Sequence, residues 1–194
     1  EMEFDLSYAP SIYTNNFIAS LTLASIITKK SLKELLDPHL KIEKIPGRYE
    51  ILYRENGKII INDFAHTKNG FFTLLSFIRM LYPRRRIIAL FGAAGERDTS
   101  KRKALGEMAS TFCDILYLTD EDSRGEDVMD IIHDIKRGFI GGNDIKVYEI
   151  LSRKDALKKA ISHMQEDDIL LLLGKGHEKS IDHRRYRTGR RLSF

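Results

Sequence analysis

The stretch LLLLGKGHEKS, residues 170–180, ends an apolar run at Gly174 and then sets Lys175, Gly176, His177 and Glu178 side by side. Two glycines, an ammonium, an imidazole and a carboxylate in five positions make a loop able to hold a polar ligand, with close backbone approach at the glycines. A nucleotide P-loop of the form G-x-x-x-x-G-K-[S/T] is absent from the sequence. Zinc needs three or four ligands at suitable spacing, and six scattered histidines with the single Cys113 do not supply them. Three further stretches have a similar character. GAAGERDTSK (92–101) joins Gly92 and Gly95 to Arg97 and Lys101 at the start of an expected helix, where anions are favoured. The plainer reading is Asp98, Thr99 or Ser100 as an ordinary N-cap. TDEDSRGED (119–127) has five acids around Arg124. Glu126 and Asp127 suit the positive end of a helix, whereas Arg124 suits a carboxylate held by two parallel hydrogen bonds. INDFAHTKN (61–69) gathers Asp63, His66 and Thr67, with Asp63 able to hold ribose hydroxyls. Its alternative is plain turn chemistry with Thr67 capping a helix.

The elements around these loops explain why four separate stretches should meet. YEILYRENGKIIIND reads as a β-hairpin about Asn56-Gly57. Short apolar strands at 87–92, 114–120, 145–150 and 168–174 alternate with helices expected at 69–82, 100–112, 126–139 and 152–164. Strands apolar throughout are buried on both faces, and strand–helix alternation of this length implies an α/β fold. The expectation is a Rossmann-like, mostly parallel sheet with helices on both faces. Ligands in such sheets lie beyond the carboxyl ends of the strands, and all four polar stretches begin there. Upstream, 16–28 reads as a helix apolar almost all round and therefore buried. Residues 31–37 read as a short helix with a Ser31–Glu34 capping box, and a domain boundary falls near Pro46 and Gly47.

Length and composition fit one good core, or one domain with part of another. No apolar run reaches the roughly 18 residues of a membrane span, and no signal peptide is read at the N-terminus. One cysteine and no internal disulfide suit a reducing, cytoplasmic setting. Five arginines, Arg184, Arg185, Arg187, Arg190 and Arg191, carry the basic character; removing them takes the net charge from +4 to −1. That tail is expected to be a solvated or disordered end. The competing reading is a nucleic-acid-binding module that uses it, although no aromatic stripe of the kind that stacks bases is visible.

PGRYE, DFAHT, FGAAGERD-x-x-KR, TDEDSR and GKGHE, in this order and covering nearly the whole chain, resemble the Mur ligase family. The likeness is strongest to members that add the third amino acid of the peptidoglycan stem peptide. The resemblance implies ATP-dependent amide bond formation on a UDP-MurNAc-peptide. It implies that residues 1–46 are the end of a central ATPase domain and 47–194 the amino-acid-binding C-terminal domain. The P-loop, the Mg2+ sites and the catalytic groups would then lie outside this fragment, which alone should be inactive. It further implies that Arg48, Asp63 and His66 serve the nucleotide, with Asp63 on the ribose. Arg97, Asp122, Arg124, Gly174 and Glu178 would hold the incoming amino acid. No nucleic-acid or membrane partner is expected, and the parent enzyme should be monomeric. The family's D-N-P-R reads Glu121-Asp122-Ser123-Arg124 here, replacing an amide by a carboxylate that would repel a substrate carboxylate. The amino acid therefore stays open between lysine, diaminopimelate and another. So does a folylpolyglutamate-synthetase-like relative with a different substrate.

Overall fold

The computed structural model describes residues 11–36, 45–140, 145–178, 180–183 and 190–193. The chain forms two compact units, Glu1–Ile45 and Pro46–Phe194. The first contains α1 (Ser11–Thr28) and α2 (Leu32–Leu35). α2 has the expected capping box: Ser31 Oγ accepts from the Glu34 amide at 3.3 Å, and the Glu34 carboxylate accepts from the Ser31 amide at 2.7 Å. The expected burial of α1 is not seen. Ile26 and Ile27 are 70% and 72% exposed, and Ile18 and Leu23 are also open. Among the described residues of this unit, α2 is the sole other helix, and one turn cannot cover a helix that is apolar on every side.

The second unit is built on a six-stranded sheet of order β1-β2-β6-β3-β4-β5. Its strands are β1 (Glu50–Glu55), β2 (Lys58–Asp63), β3 (Ile87–Phe91), β4 (Ile115–Leu118), β5 (Lys146–Glu149) and β6 (Ile169–Leu173). β1 runs antiparallel to β2 through Asn56 and Gly57, both at positive φ as a tight hairpin turn requires. All other pairings in the sheet are parallel. The connecting helices are α3 (Lys68–Leu81), α4 (Ser100–Phe112), α5 (Val128–Lys136) and α6 (Arg153–His163). α3 begins after Thr67, whose hydroxyl accepts from the Gly70 amide as its N-cap. α5 starts two residues later than expected because Asp127 is its N-cap, accepting from the Met129 amide, so the acids before it remain in the loop; it ends at Lys136, short of the expected 139.

Alternate residues of β3, β4 and β6 face opposite cores. Ile87, Ala89, Phe91, Leu116, Leu118, Leu171 and Leu173 pack with α3, α4 and α5; Ile88, Leu90, Tyr117 and Leu170 pack with α6. Right-handed crossovers explain this division: β2 to β5 advance across the sheet with helices on one face, and the return from β5 to β6 puts α6 on the other. Beyond the sheet, β7 (Ser180–His183) pairs antiparallel with β8 (Arg190–Ser193). The tail is thus not simply an unstructured end, since the backbone of Arg190 and Arg191 belongs to a ladder. Arg184, Arg185 and Arg187 lie outside the described residues.

At the end of the sheet away from the polar loops, Arg86 clamps the buried Asp168 through Nε at 2.8 Å and Nη2 at 2.5 Å, and Asp168 also accepts from the Gln165 amide. Asp168→Ala should lower the unfolding free energy by about 2–3 kcal/mol, the scale of hydrogen bonds to a charged group. Urea denaturation measures it, and a loss below about 0.5 kcal/mol would make the clamp incidental.

Candidate functional site

The carboxyl ends of β2 and β6 are adjacent, and their loops are bonded to each other. The Gly174 amide donates to Ala65 O at 2.9 Å, and Asn62 Nδ2 donates to Gly176 O at 2.9 Å. The segment before β1 joins them, with the Phe64 amide donating to Gly47 O. Asp63 is buried; its Oδ2 accepts from the Tyr49 amide at 2.7 Å and its Oδ1 from the Ala65 amide at 2.8 Å. Arg48 is exposed, its guanidinium 4.4 Å from the centre of the Phe64 ring. His66 lies against the same Phe64 ring, the two ring centres 4.6 Å apart, and its Nδ1 is 2.9 Å from Phe64 O. A carbonyl only accepts, so Nδ1 carries a proton. Arg48, Asp63 and His66 therefore share one corner with the 174–178 loop.

The second corner lies beyond β3 and β4. The Gly95 amide donates to Asp122 O at 2.8 Å, and a Cβ on Gly95 would sit 2.0 Å from Ser123 O, so this contact requires glycine. Arg124 has a φ of 52° and donates from Nη1 to Gly95 O at 3.0 Å, while its buried Nε lies 4.0 Å from Asp182 Oδ2 and has no hydrogen-bond partner among the described residues. The β7 strand braces this loop from outside: the Arg124 amide donates to Asp182 O, and the Asp182 amide donates to Asp122 Oδ1 at 2.7 Å. Arg97 is exposed on the adjacent 92–98 loop.

Residues given no separate role from the sequence connect the two corners. Lys175, buried, pairs with Asp122 Oδ2 at 2.5 Å. Glu121 is buried beneath Gly174, which has a φ of +86° and whose Cβ, if present, would lie 2.0 Å from Glu121 Oε2. Burial pushes the Glu121 carboxyl above its ordinary value, against the opposing pull of Arg153, Lys101 and Lys175. Arg153, at the start of α6, donates from Nη2 to Leu173 O at 2.7 Å and from Nη1 to Asp120 O at 3.4 Å. Glu178 turns back on its own loop, accepting from the Gly176 amide at 2.7 Å. Arg153, Lys175, Gly176 and Glu178 border a cavity of about 330 Å³ whose remaining wall is largely leucine. Asp122 was expected to repel a bound carboxylate. In the structure its carboxylate is paired with Lys175.

A six-stranded α/β sheet with this strand order and polar loops at the carboxyl ends of β2, β3, β4 and β6 defines the class, and comparison with known proteins agrees. Residues 47–176 match the family model described as Mur ligase, glutamate ligase domain. The chain belongs to that family. It is 36% identical to a UDP-N-acetylmuramyl-tripeptide synthetase of Borreliella burgdorferi over 91% of this chain and 35% of that protein. It is 33% identical to a UDP-N-acetylmuramoyl-L-alanyl-D-glutamate–2,6-diaminopimelate ligase of Prochlorococcus marinus over 88% of this chain and 34% of that protein. A solved UDP-N-acetylmuramoyl-L-alanyl-D-glutamate–2,6-diaminopimelate ligase superposes with a TM-score of 0.68 at 28% identity, over 94% of this chain and 36% of the other. A folylpolyglutamate synthase of Thermotoga maritima shares the fold at 20% identity, with a TM-score of 0.52 over 68% of this chain and 28% of that one. The chain spans about a third of the length of the curated relatives it matches.

Glu121 gives a pH dependence with a definite sign. A carboxyl raised above its ordinary 4.5 contributes its stability fully below that value and loses it as pH rises through the folded value. Glu121→Gln, which keeps the shape and removes the titration, should therefore match the parent in melting temperature at about pH 4 and exceed it at about pH 8. A parent advantage at the higher pH would mean that attraction to Arg153 and Lys175 outweighs burial.

Proposed function

We propose that this chain is the C-terminal part of an ATP-dependent amide ligase that adds the third amino acid to a UDP-MurNAc-dipeptide. In this reading residues 1–46 are the end of the central ATPase domain and 47–194 the amino-acid-binding domain. The observation that carries it is the locking of the 119–124 loop to the 174–178 loop, through Lys175 to Asp122 and Glu121 beneath Gly174. One loop offers a guanidinium, at Arg124, for a carboxylate. The other offers the Glu178 carboxylate for an ammonium, with Gly174 leaving backbone open to the ligand. A free amino acid carries both charges. Arg97 adds a second cation for its carboxylates, and Asp122, held by Lys175, shapes the loop that presents Arg124.

Arg48, Asp63 and His66 fit a nucleotide. Arg48 is exposed over an aromatic ring, and the Asp63 carboxylate is fixed at the end of β2 by the Tyr49 and Ala65 amides, a placement suited to ribose hydroxyls. ATP would supply the phosphoryl group that activates the terminal carboxylate of the UDP-linked peptide. This domain would hold the amine of the incoming amino acid close to that activated carboxylate, a contribution of proximity. Mg2+ is a different case: among the described residues no group of three His, Cys, Asp or Glu side chains is placed to hold a metal ion. The relatives' names, tripeptide synthetase and diaminopimelate ligase, support the substrate class.

The test uses the full-length chain that carries this sequence, supplied with ATP, Mg2+ and UDP-MurNAc-L-Ala-D-Glu, with phosphate release followed across a panel of amino acids. Release should depend on one diamino acid, and Arg124→Ala should raise the KM for it by about tenfold or more while leaving the KM for ATP within about twofold. Release indifferent to every amino acid would overturn the reading.

A further inference from the structure

Arg153 occupies a position that chemistry disfavours. It is the first residue of α6, after the N-cap Ser152, where a cation meets the positive end of the helix dipole. It is also 9% exposed, and burial pulls its guanidinium below its ordinary value. An apolar side chain of similar volume would fill the site without either cost, and replacing buried ions in this way is often neutral or stabilising. The compensation is specific. Glu121, Asp120 and Asp122 supply opposing charge, and Glu178 adds to it. The two hydrogen bonds go to Leu173 O and Asp120 O, the carbonyls at the roots of the two loops that carry the proposed amino-acid contacts. Leu173 immediately precedes Gly174, and Asp120 precedes Glu121 and Asp122.

We propose that Arg153 is a positioning residue that sets the spacing of the 120–124 and 174–178 loops, and through it the affinity for the incoming amino acid. The guanidinium is a rigid planar fork and spans two carbonyls, one at the end of β6 and one in the loop after β4; the ammonium of a lysine is a single point and does not reproduce both contacts. Lys175 to Asp122 joins the same loops nearer their tips. With both ties in place the two loops move as one body. Without Arg153 the tip contact remains while the roots separate. This inference rests on the amide-ligase reading above.

The experiment compares the full-length parent with Arg153→Lys and Arg153→Met. Each is assayed for phosphate release with ATP and amino acid varied separately, and each is melted to confirm folding. In Arg153→Met the KM for the amino acid should rise by about tenfold or more, on the scale that small misplacements of bound groups produce. The KM for ATP should stay within about twofold, and Arg153→Lys should fall between Met and the parent. Should Arg153→Met fail to fold, Arg153→Lys alone decides: a parent-like melting temperature with an unchanged amino-acid KM overturns the proposal. Equal movement of both KM values also overturns it, because that is what general loosening produces. Absence of amino-acid-dependent turnover in the parent would bring down the ligase reading and this inference with it.

Discussion

Parallel pairing of β6 with β2 on one side and β3 on the other brings the last strand of the sheet into its middle. The pairing is held by an all-apolar run, Ile169 to Leu173, buried between two layers of helix. Every feature of the site follows from it. The glycine-rich loop after β6 can touch Ala65 and Asn62 on one flank and Glu121 and Asp122 on the other only because it rises from the centre of the sheet. Were β6 at an edge, the Asp63 corner and the Arg124 corner would have no common neighbour.

Electrostatics at the centre follow from the same placement. Glu121, Arg153 and Lys175 are buried within a few residues of strand ends, where their charges have been taken out of water. Such groups cost stability unless each finds a partner. Here Arg153 donates to two backbone carbonyls, Lys175 pairs with Asp122, and both cations draw on the Glu121 carboxyl, so the groups form a single unit under the loops. This changes the meaning of the Glu-Asp-Ser-Arg sequence. Taken alone, Asp122 opposes a carboxylate ligand. Paired with Lys175 and bonded to the Asp182 amide, it is a structural tie.

Much of this was legible in the sequence. The buried strands declare themselves as short apolar runs, the Asn56-Gly57 turn by its dipeptide, and α3 and α2 by Thr67 and by Ser31 with Glu34. Knowing that ligand loops follow parallel strands was enough to gather Asp63, Arg97, Arg124 and Glu178 at one end of the sheet. What stayed hidden depended on tertiary surroundings. Arg153 is second in the stretch SRKDALKK and has the look of one more solvated cation on a charged helix. Its one signal is a basic residue in a first turn, where acids are usual. Lys175 and Glu121 likewise gave no local sign of burial. α1 lies open in this chain, and periodicity reports only its apolar surface, not what covers it. β7 and β8 are four residues each, too short for a pattern to stand out against the arginines around them.

The brace from β7 also bears on the order in which the molecule can assemble. The loop of Asp122 and Arg124 takes backbone partners from Asp182, 60 positions further along the chain from Asp122. Contacts so distant in sequence form late, after shorter loops have closed. During synthesis from the N-terminus, α3, α4 and α5 emerge with β2 to β5 while the central slot for β6 is still vacant, and the brace arrives later again. The hairpin and the helices can fold as they appear, but the ligand loops acquire their final geometry only when the last strands come in. The site is therefore a late product of folding, and a nascent chain short of β7 carries its residues without their arrangement.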